Sequence, residues 1–486
     1  MASWPVRAEE DPIAEPTFPT APHGGPRRSI AERSERGRAS RAAVPRSAHG
    51  DWSPAADRPD PVALIEQQNA ARIPWLVPIR HARMEASPFA FFRGAARVMA
   101  VDLADAPRTD LTVQMDGDAH LANFGIYASP ERQLVFDAND FDETLPGPFE
   151  WDLKRLTASI AICGRDRGMP RRDVMEMTTF AVATYRAGMA RFATMPVLEL
   201  WYRYLSIDAL GRGDYVPVVK RTRRELDRVA HTAYTHDHLH AVRKLTEEVD
   251  GTLRFRNSPP LLHSLHDLGD HGYGDVDGNE LIEAAWATFD AYKDTLYDDR
   301  RSVLERYRPL DVGLKVVGVG SVGTRCLVVL LEGHDRDDPL FLQVKEATRS
   351  VYEDVLAPSH YDHHGRRVVE GQRLAQAVSD IFLGWTVGPA GTHFYVRQLR
   401  DWKFSVDLGT VTPSQLRNHA ATCAWTLARG HARSGDAVAI DAYVGTSDRL
   451  DRSLTAFAQD YADRNEADHA AFVQAIADGR LASAPA

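Results

Sequence analysis

Cysteine is scarce in this chain: Cys163, Cys326 and Cys423 are the only three among 486 residues, and none lies near another. That scatter excludes a zinc site and a disulfide framework, and it suits a reducing compartment. No apolar run reaches the length needed to cross a bilayer. The first residues include Glu9, Glu10 and Asp11 and no apolar core segment, so they do not read as a secretory signal. Basic residues are outnumbered, 58 Lys and Arg against 68 Asp and Glu, giving a net charge of −10. Phosphate backbones are bound by basic surfaces, so nucleic acid is not an expected partner. A cytoplasmic protein with no membrane association is expected.

Large apolar residues are nearly missing from residues 1–58, which are rich in Pro, Arg, Ala and Ser. Such a composition buries too little surface to offset the entropy of ordering, so a disordered tail is predicted there. The remaining length supports two or three domain-sized units.

What is present is a concentration of acids. Asp116-Gly117-Asp118-Ala119-His120-Leu121-Ala122-Asn123 is followed by Asp137, Asp140 and Asp142, with Asp110 just upstream. Carboxylates packed this densely need a cation, a proton or open water between them. Two readings stand side by side: a magnesium site, which takes one or two carboxylates plus substrate oxygens, and two acidic surface turns. Phe124–Tyr127 and Leu134–Phe136 are short β-prone runs separated by Ser129-Pro130-Glu131-Arg132, turn chemistry that predicts a hairpin. A hairpin brings its ends together, and with them Asp118, Asn123 and Asp137.

A helix is expected at Pro61–Ala71, and Phe89, Phe91 and Phe92 read as core anchors flanked by Arg83 and Arg93. The pattern from Trp151 to Arg308 is helical, through Leu153, Leu156 and Ile160. Within it, His236, His238 and His240 alternate on a polar stretch, a spacing that turns successive side chains apart on a helix and reads as a solvated face. From Leu314 the pattern changes to β-branched runs: Leu314–Val317, Arg325–Leu331, Leu340–Lys345 and, after a helix at Val368–Phe382, Phe394–Leu399. Thr412-Pro413-Ser414-Gln415 opens a further helix with a capping-box pattern, and Leu450, Leu454, Phe457 and Tyr461 mark the stripe of the last one. The expected units are a helical lobe at 59–310, a small β-rich lobe at 311–405, and C-terminal helices at 406–486.

Gly318-Val319-Gly320-Ser321-Val322-Gly323 is the second concentration. A dinucleotide-binding turn would open a helix, whereas a phosphate lid of the kinase type joins two strands. Gly323 is followed by Thr-Arg-Cys-Leu-Val-Val-Leu-Leu, which is a strand. The kinase pattern also needs a Lys on the next strand, and Leu340-Phe341-Leu342-Gln343-Val344-Lys345 supplies it. Its expected carboxylate partner is Glu370, with Glu353 in reserve. Asp118 and Asn123 have the spacing of a catalytic base and a metal ligand, and Asp137 ends the following hairpin, with Asp140 beside it as a second candidate. Both halves of a phosphoryl-transfer site are therefore present in reversed order, which a circular permutation explains.

Gly117-Asp118-Ala119-His120-Leu121-Ala122-Asn123-Phe124-Gly125, Asn139-Asp140-Phe141-Asp142-Glu143 and Glu150-Trp151-Asp152-Leu153-Lys154-Arg155 resemble the domain of unknown function 2252 family, over most of residues 60–475. That family is regarded as kinase-like, related to aminoglycoside phosphotransferases and HipA-type kinases. The resemblance implies a two-lobed, protein-kinase-like α+β fold and a nucleotide site, with ATP and Mg2+ as cofactors. It names no acceptor. In this chain Asp116 stands where phosphotransferases carry a His before Gly-Asp.

The expectation is thus an ATP- and magnesium-dependent phosphotransferase acting on a small molecule. Asp118 orients the acceptor hydroxyl, Asn123 and Asp137 hold magnesium with Asp140, Lys345 with Glu370 holds the phosphates, and Gly318, Gly320, Ser321 and Gly323 cover them. Adenine is expected near Val396–Leu399, at Gln398, and acceptor selectivity in residues 175–300. The rival readings are a nucleotide-binding module without turnover, an adenylate transferase and a metal-dependent hydrolase.

Overall fold

A computed structural model describes residues 28–212, 231, 238–265, 278–316, 318–399, 402 and 404–484. Helix α1 (Ile30–Ala43) opens it, followed by α2 (Pro61–Asn69), α3 (Val77–Glu85), α4 (Pro88–Gly94) and α5 (Ala96–Ala104). Pro61 occupies the first turn of α2, and the Asp60 carboxylate accepts from Val62 N at 3.0 Å. That start needs no further donor for the first orphan amide. Phe91 and Phe92 are almost completely buried, as anchors should be.

Two short antiparallel pairs come next. β1 (Thr112–Met115) pairs with β4 (Leu145–Pro148), and β2 (Phe124–Ala128) pairs with β3 (Leu134–Ala138) in the register Gly125 opposite Asp137. The predicted hairpin is this second pair. α6 (Phe149–Asp166) is buried on every side and still carries Glu150, Asp152, Lys154 and Arg155, none more than 1% exposed. Buried charge of that density requires partners, and those of Asp152 and Arg155 build the site described below. α7 (Arg171–Ala193), α8 (Val197–Trp201), β5 (Leu205–Ser206) and α9 (Ile207–Arg212) follow, β5 pairing with β3.

The largest sheet among the described residues has six antiparallel strands, in the order β12 (Gly384–Val387), β13 (His393–Gln398), β11 (Pro339–Glu346), β10 (Cys326–Glu332), β9 (Arg308–Lys315) and β8 (Leu262–Ser264). After α10 (His238–Leu245) and the β6 (Thr246–Val249) and β7 (Thr252–Phe255) hairpin, β8 (Leu262–Ser264) supplies one edge. Next are α11 (Gly278–Lys293), α12 (Asp298–Leu304), β9 (Arg308–Lys315), β10 (Cys326–Glu332) and β11 (Pro339–Glu346). α13 (His364–Ala375), β12 (Gly384–Val387) and β13 (His393–Gln398) close this unit. Phe289, Tyr292 and Leu296 pack with the sheet residues Val329, Leu342 and Val396, so the stretch around α11 covers this sheet. α14 (Pro413–Ser434), α15 (Ala437–Val444) and α16 (Arg449–Ala477) share the core of α5, α6 and α7. The Thr412 capping box forms, with Gln415 Oε1 accepting from Thr412 N at 2.9 Å. The whole is mixed α+β with antiparallel sheets.

Several expectations are corrected here. The β-rich unit does not begin at 311: it recruits β8 and the α11 helix from the stretch assigned to a helical lobe ending at 310, because β8 offers its edge to β9 with Leu262 opposite Lys315. The stretch from 151 to 308 therefore contains strands as well as helices. The helix expected at Val368–Phe382 is His364–Ala375 instead. Residues 28–58 are not a disordered tail; residues 1–27 lie outside the described ones, as does His236. α1 docks through small residues rather than large apolar ones. A Cβ on Gly37 would stand 2.0 Å from the Ala439 carbonyl of α15, so the two helices approach as closely as backbones can. Arg33 pairs with Asp436 at 2.8 Å, and Ser40 Oγ donates to Asp110 at 2.6 Å.

Candidate functional site

The loop after β1 is shaped from beneath. Asp152, one turn into α6, accepts from Asp116 N at 2.7 Å and Gly117 N at 2.9 Å. Its carboxylate also lies 3.1 Å from His431 Nε2, and the other nitrogen of His431 lies 2.9 Å from Tyr185 Oη. A proton on Nε2 satisfies Asp152 and leaves Nδ1 to accept from the tyrosine. Gly117 has φ +85°, and a Cβ there would stand 2.3 Å from the Glu143 carbonyl, so only glycine fits. Asn123 ties the far end: its Nδ2 donates to Asp116 Oδ1 at 3.0 Å, the Asp118 carbonyl at 3.2 Å and the Asp140 carbonyl at 2.8 Å. Its carboxamide oxygen remains available as a donor to a cation.

Asp118 rises from this loop into the cleft. Arg155, three residues beyond Asp152, donates from Nε to Asp118 Oδ1 at 2.8 Å and from Nη2 to the Phe92 carbonyl at 2.7 Å, with its guanidinium 3.8 Å from the Phe92 ring centroid. Burial nevertheless pushes the Asp118 carboxyl up to about 7, against the pull of Arg155 and with Glu143 and Asp140 adding repulsion. Asp116 is held well above the ordinary range by burial and by Asp152 and Asp118, and its Oδ2 is buried without a partner.

Lys345 reaches the same place from β11. Its Nζ donates to Asp142 Oδ2 at 2.6 Å and to both oxygens of Asp140 at 3.1 Å. Tyr395 Oη adds 2.6 Å to Asp142 Oδ1 from the neighbouring β13. Burial works against both charges, yet Lys345 and Arg397 hold Asp140 below the usual carboxylate range, while burial and Asp140 push Asp142 up. Lys345 in turn is desolvated but held well above its ordinary value by the two aspartates.

The glycine loop joins β9 to β10, as its flanking sequence requires. Gly318 (φ +57°) and Gly323 (φ +92°) take the left-handed backbone that bends it. Its valines are anchors: Val319 packs with Val62, Phe91 and Phe472, and Val322 packs with Ile73 and Ile79. Ile73 N donates to the Gly323 carbonyl at 2.7 Å, so the loop is fixed to the segment between α2 and α3 as well as to the sheet. Ser321 Oγ stands 3.4 Å from Asp142.

These groups line one cleft of about 840 Å³. Asp118, Asn123, Asp140, Lys345, Gly318, Gly320, Ser321 and Gln398 all face it, with Phe341 and Leu399 as its apolar end. Four expected residues do not join them as assigned. Asp137 is turned away and closed by Arg429, which donates to both its oxygens at 2.8 and 2.9 Å, and by Ala377 N at 3.0 Å. The acids of the cleft are Asp140 and Asp142, in the turn beyond the strand end. Glu370 is not the partner of Lys345 either; it pairs with Arg373 at 3.1 Å, one turn along α13. Glu353 accepts from Ser350 N at 3.1 Å and Ser359 N at 3.2 Å, and likewise leaves Lys345 to the aspartates. Gly323 belongs to the bend of the loop, stacked on the Arg72 side chain. Sequence reasoning left Asp142 without a role and missed Arg155, Asp152 as a loop holder, and Arg397. Arg155 and Asp152 sit in the quoted Glu150–Arg155 motif, so their signal was visible without its meaning.

The donors offered to a cation are all oxygen, from Asp140, Asp142 and Asn123, a set that suits magnesium. Among the described residues no group of three or more His, Cys, Asp or Glu is arranged to hold a metal by itself. Nor is any described helix long and apolar enough to cross a membrane.

Fold and site define an α+β protein with a polar, acid-floored cleft beneath a strand-flanked glycine loop. The chain belongs to the family described as "Uncharacterized protein conserved in bacteria (DUF2252)", whose model matches residues 72–475. No curated protein and no solved structure matches it.

Proposed function

We propose that this protein is an ATP- and magnesium-dependent phosphotransferase, built on a circularly permuted, two-lobed fold of the protein-kinase type. The supporting observation is that Asp118, Lys345 and the Gly318–Gly323 loop, from three separate parts of the chain, line one cleft. Phosphoryl transfer is mostly positioning and electrostatics, which needs those three elements.

In this reading Asp118 accepts the proton of the acceptor hydroxyl, fixed in orientation by Arg155. Lys345 binds the ATP phosphates, and its contacts with Asp140 and Asp142 keep it aimed along the cleft. The glycine-loop amides cover the phosphates, and adenine lies at the Phe341–Leu399 end beside Gln398. Asp140, Asp142 and the Asn123 oxygen would hold magnesium, which neutralises phosphate charge when bound. The acceptor enters past the 67–72 and 93–97 segments, and is a small molecule.

Calorimetric titration with Mg-ATP tests the reading. Wild type binds, and Lys345→Met and Asp140→Asn each weaken binding at least tenfold. Screening hydroxyl acceptors with ATP labelled at the terminal phosphate then separates transfer from binding alone; label reaching the acceptor from α-labelled ATP, with the terminal label released in pyrophosphate, would identify adenylate transfer. If Lys345→Met turned over as well as wild type, a metal-dependent hydrolase would replace the kinase.

A further inference from the structure

Among the described residues Arg93 has no acid partner. It lies near the end of α4, beside Phe92, whose carbonyl shares the Arg155 guanidinium with Asp118. On its other side, a Cβ on Gly320 would stand 3.5 Å from the Arg93 carbonyl. Arg93 is thus placed between the catalytic loop and the glycine loop, and it lines the cleft they share. Its Nε is buried without a hydrogen-bond partner, and no carboxylate among the described residues pairs with it.

Several other cations of the cleft are committed, while Lys244 and Lys315 also line it and Arg72 is held by the Val322 carbonyl. Arg97 pairs with Asp354 at 3.1 Å, Arg349 with the same carboxylate at 3.1 Å, and Lys345 with Asp140 and Asp142. Arg397 donates to Gln343 at 3.0 Å and the Asn139 carbonyl at 2.6 Å. Nor is the position of Arg93 loose. The fully buried Arg80 donates to the Gly94 carbonyl at 2.8 Å and to Asn69 at 2.8 Å, bracing the turn from within. Desolvating a guanidinium without an acceptor is costly. A ligand that brings the missing oxygens offsets that cost.

We propose that Arg93 anchors an oxyanion site, binding a phosphate-type group between Gly320 and Asp118, apart from the Lys345 cluster. A planar guanidinium meets such a group with two parallel hydrogen bonds. The group has two sources: the terminal phosphate of the nucleotide, or a phosphate or carboxylate carried by the acceptor. The site itself stands without the phosphotransferase reading; the choice of source rests on it.

The test is calorimetric titration of the full chain with inorganic phosphate, alone and then with saturating Mg-ADP or a non-hydrolysable Mg-ATP analogue. Phosphate binds wild type, and Arg93→Gln weakens it at least tenfold. Arg93→Lys keeps part of the affinity, while Arg97→Gln stays within about threefold. Phosphate excluded by the triphosphate analogue but not by Mg-ADP supports the site and assigns it to the terminal phosphate. Phosphate that still binds beside the analogue supports the site and assigns it to the acceptor. Equal phosphate affinity in wild type, Arg93→Gln and Arg93→Lys overturns the proposal, as does loss confined to Lys345→Met. Melting curves and circular dichroism of both Arg93 variants separate lost binding from lost folding. Absence of Mg-ADP binding would count against the phosphotransferase and leave the phosphate result standing.

Discussion

Lys345 Nζ lies 2.6 Å from Asp142 Oδ2, a contact that spans 203 residues and ties a central strand of the six-stranded sheet to the acidic turn after β3. The lysine is 1% exposed, so this is a buried ion pair and not a surface one. Removing one partner of such a pair leaves an uncompensated charge, at about 3–5 kcal/mol. Here a second aspartate, Asp140, shares the lysine. Asp142→Asn therefore destabilises less than Asp140→Asn with Asp142→Asn together. Guanidinium denaturation of the two single variants and the double variant, compared as a cycle, checks that ordering; strictly additive losses would contradict a shared lysine.

Burial pushes the Asp118 carboxyl up to about 7. Its folded value lies above its ordinary one, so the folded state favours the protonated form and any stabilisation from it is lost as pH rises toward 7. The base proposed for phosphoryl transfer works only when ionised, so on that proposal turnover rises with pH through the same range. Difference infrared spectroscopy between wild type and Asp118→Asn reads the carboxylate band directly. A midpoint near 7 is expected, moving upward in Arg155→Gln because Arg155 lowers it; a midpoint near 4 contradicts the buried-acid description.

Asp137 serves the fold. Arg429 and Asp137 are both buried, so Arg429→Met strands a carboxylate and lowers stability by about 3–5 kcal/mol in urea unfolding. Asp137→Asn weakens the fold too, while Mg-ATP affinity stays within about twofold. A large loss of nucleotide affinity in a stable Asp137→Asn protein would return that residue to the metal.

The Asp152–His431–Tyr185 chain holds the loop that carries Asp118 without touching the cleft. Asp152→Asn keeps the size but loses charge and part of its acceptor capacity, so amide exchange at Asp116 and Gly117 accelerates by at least tenfold. Tyr185→Phe, one link further out, has a smaller effect. Unchanged exchange in Asp152→Asn would contradict the positioning role.

α1 is held by close approach. Gly37→Val forces a side chain into the Ala439 backbone, costing about 1–3 kcal/mol as overpacking does, and deuterium uptake across residues 30–43 rises. A neutral substitution would mean that the helix does not sit there.

Local chemistry made several of these features legible. The hairpin, the capping box at Thr412, the strand-flanked glycine loop and the lysine closing β11 follow from turn residues, spacing and β-branched runs. What escaped was set by distant contacts. Asp137 and Asp140 look alike along the chain, and Arg429, 292 residues away, together with the Ala377 amide distinguishes the closed acid from those that face the cleft. Glu370 had the right place on the next helix, but Arg373 lies one turn from it. α1 was hidden because a helix that docks on Gly37 and Ser40 lacks the apolar stripe by which amphipathic helices are recognised. β8 is three residues long and becomes a strand only because β9 offers it an edge.

The central claim is that Lys345 and the aspartates it touches form a nucleotide-phosphate site with Asp118 in the same cleft. Calorimetric titration of wild type and Lys345→Met with Mg-ATP tests it most directly. The account predicts one Mg-dependent site in wild type and at least a tenfold weaker one in a folded Lys345→Met. Equal affinity in the two proteins, or binding indifferent to magnesium, contradicts it.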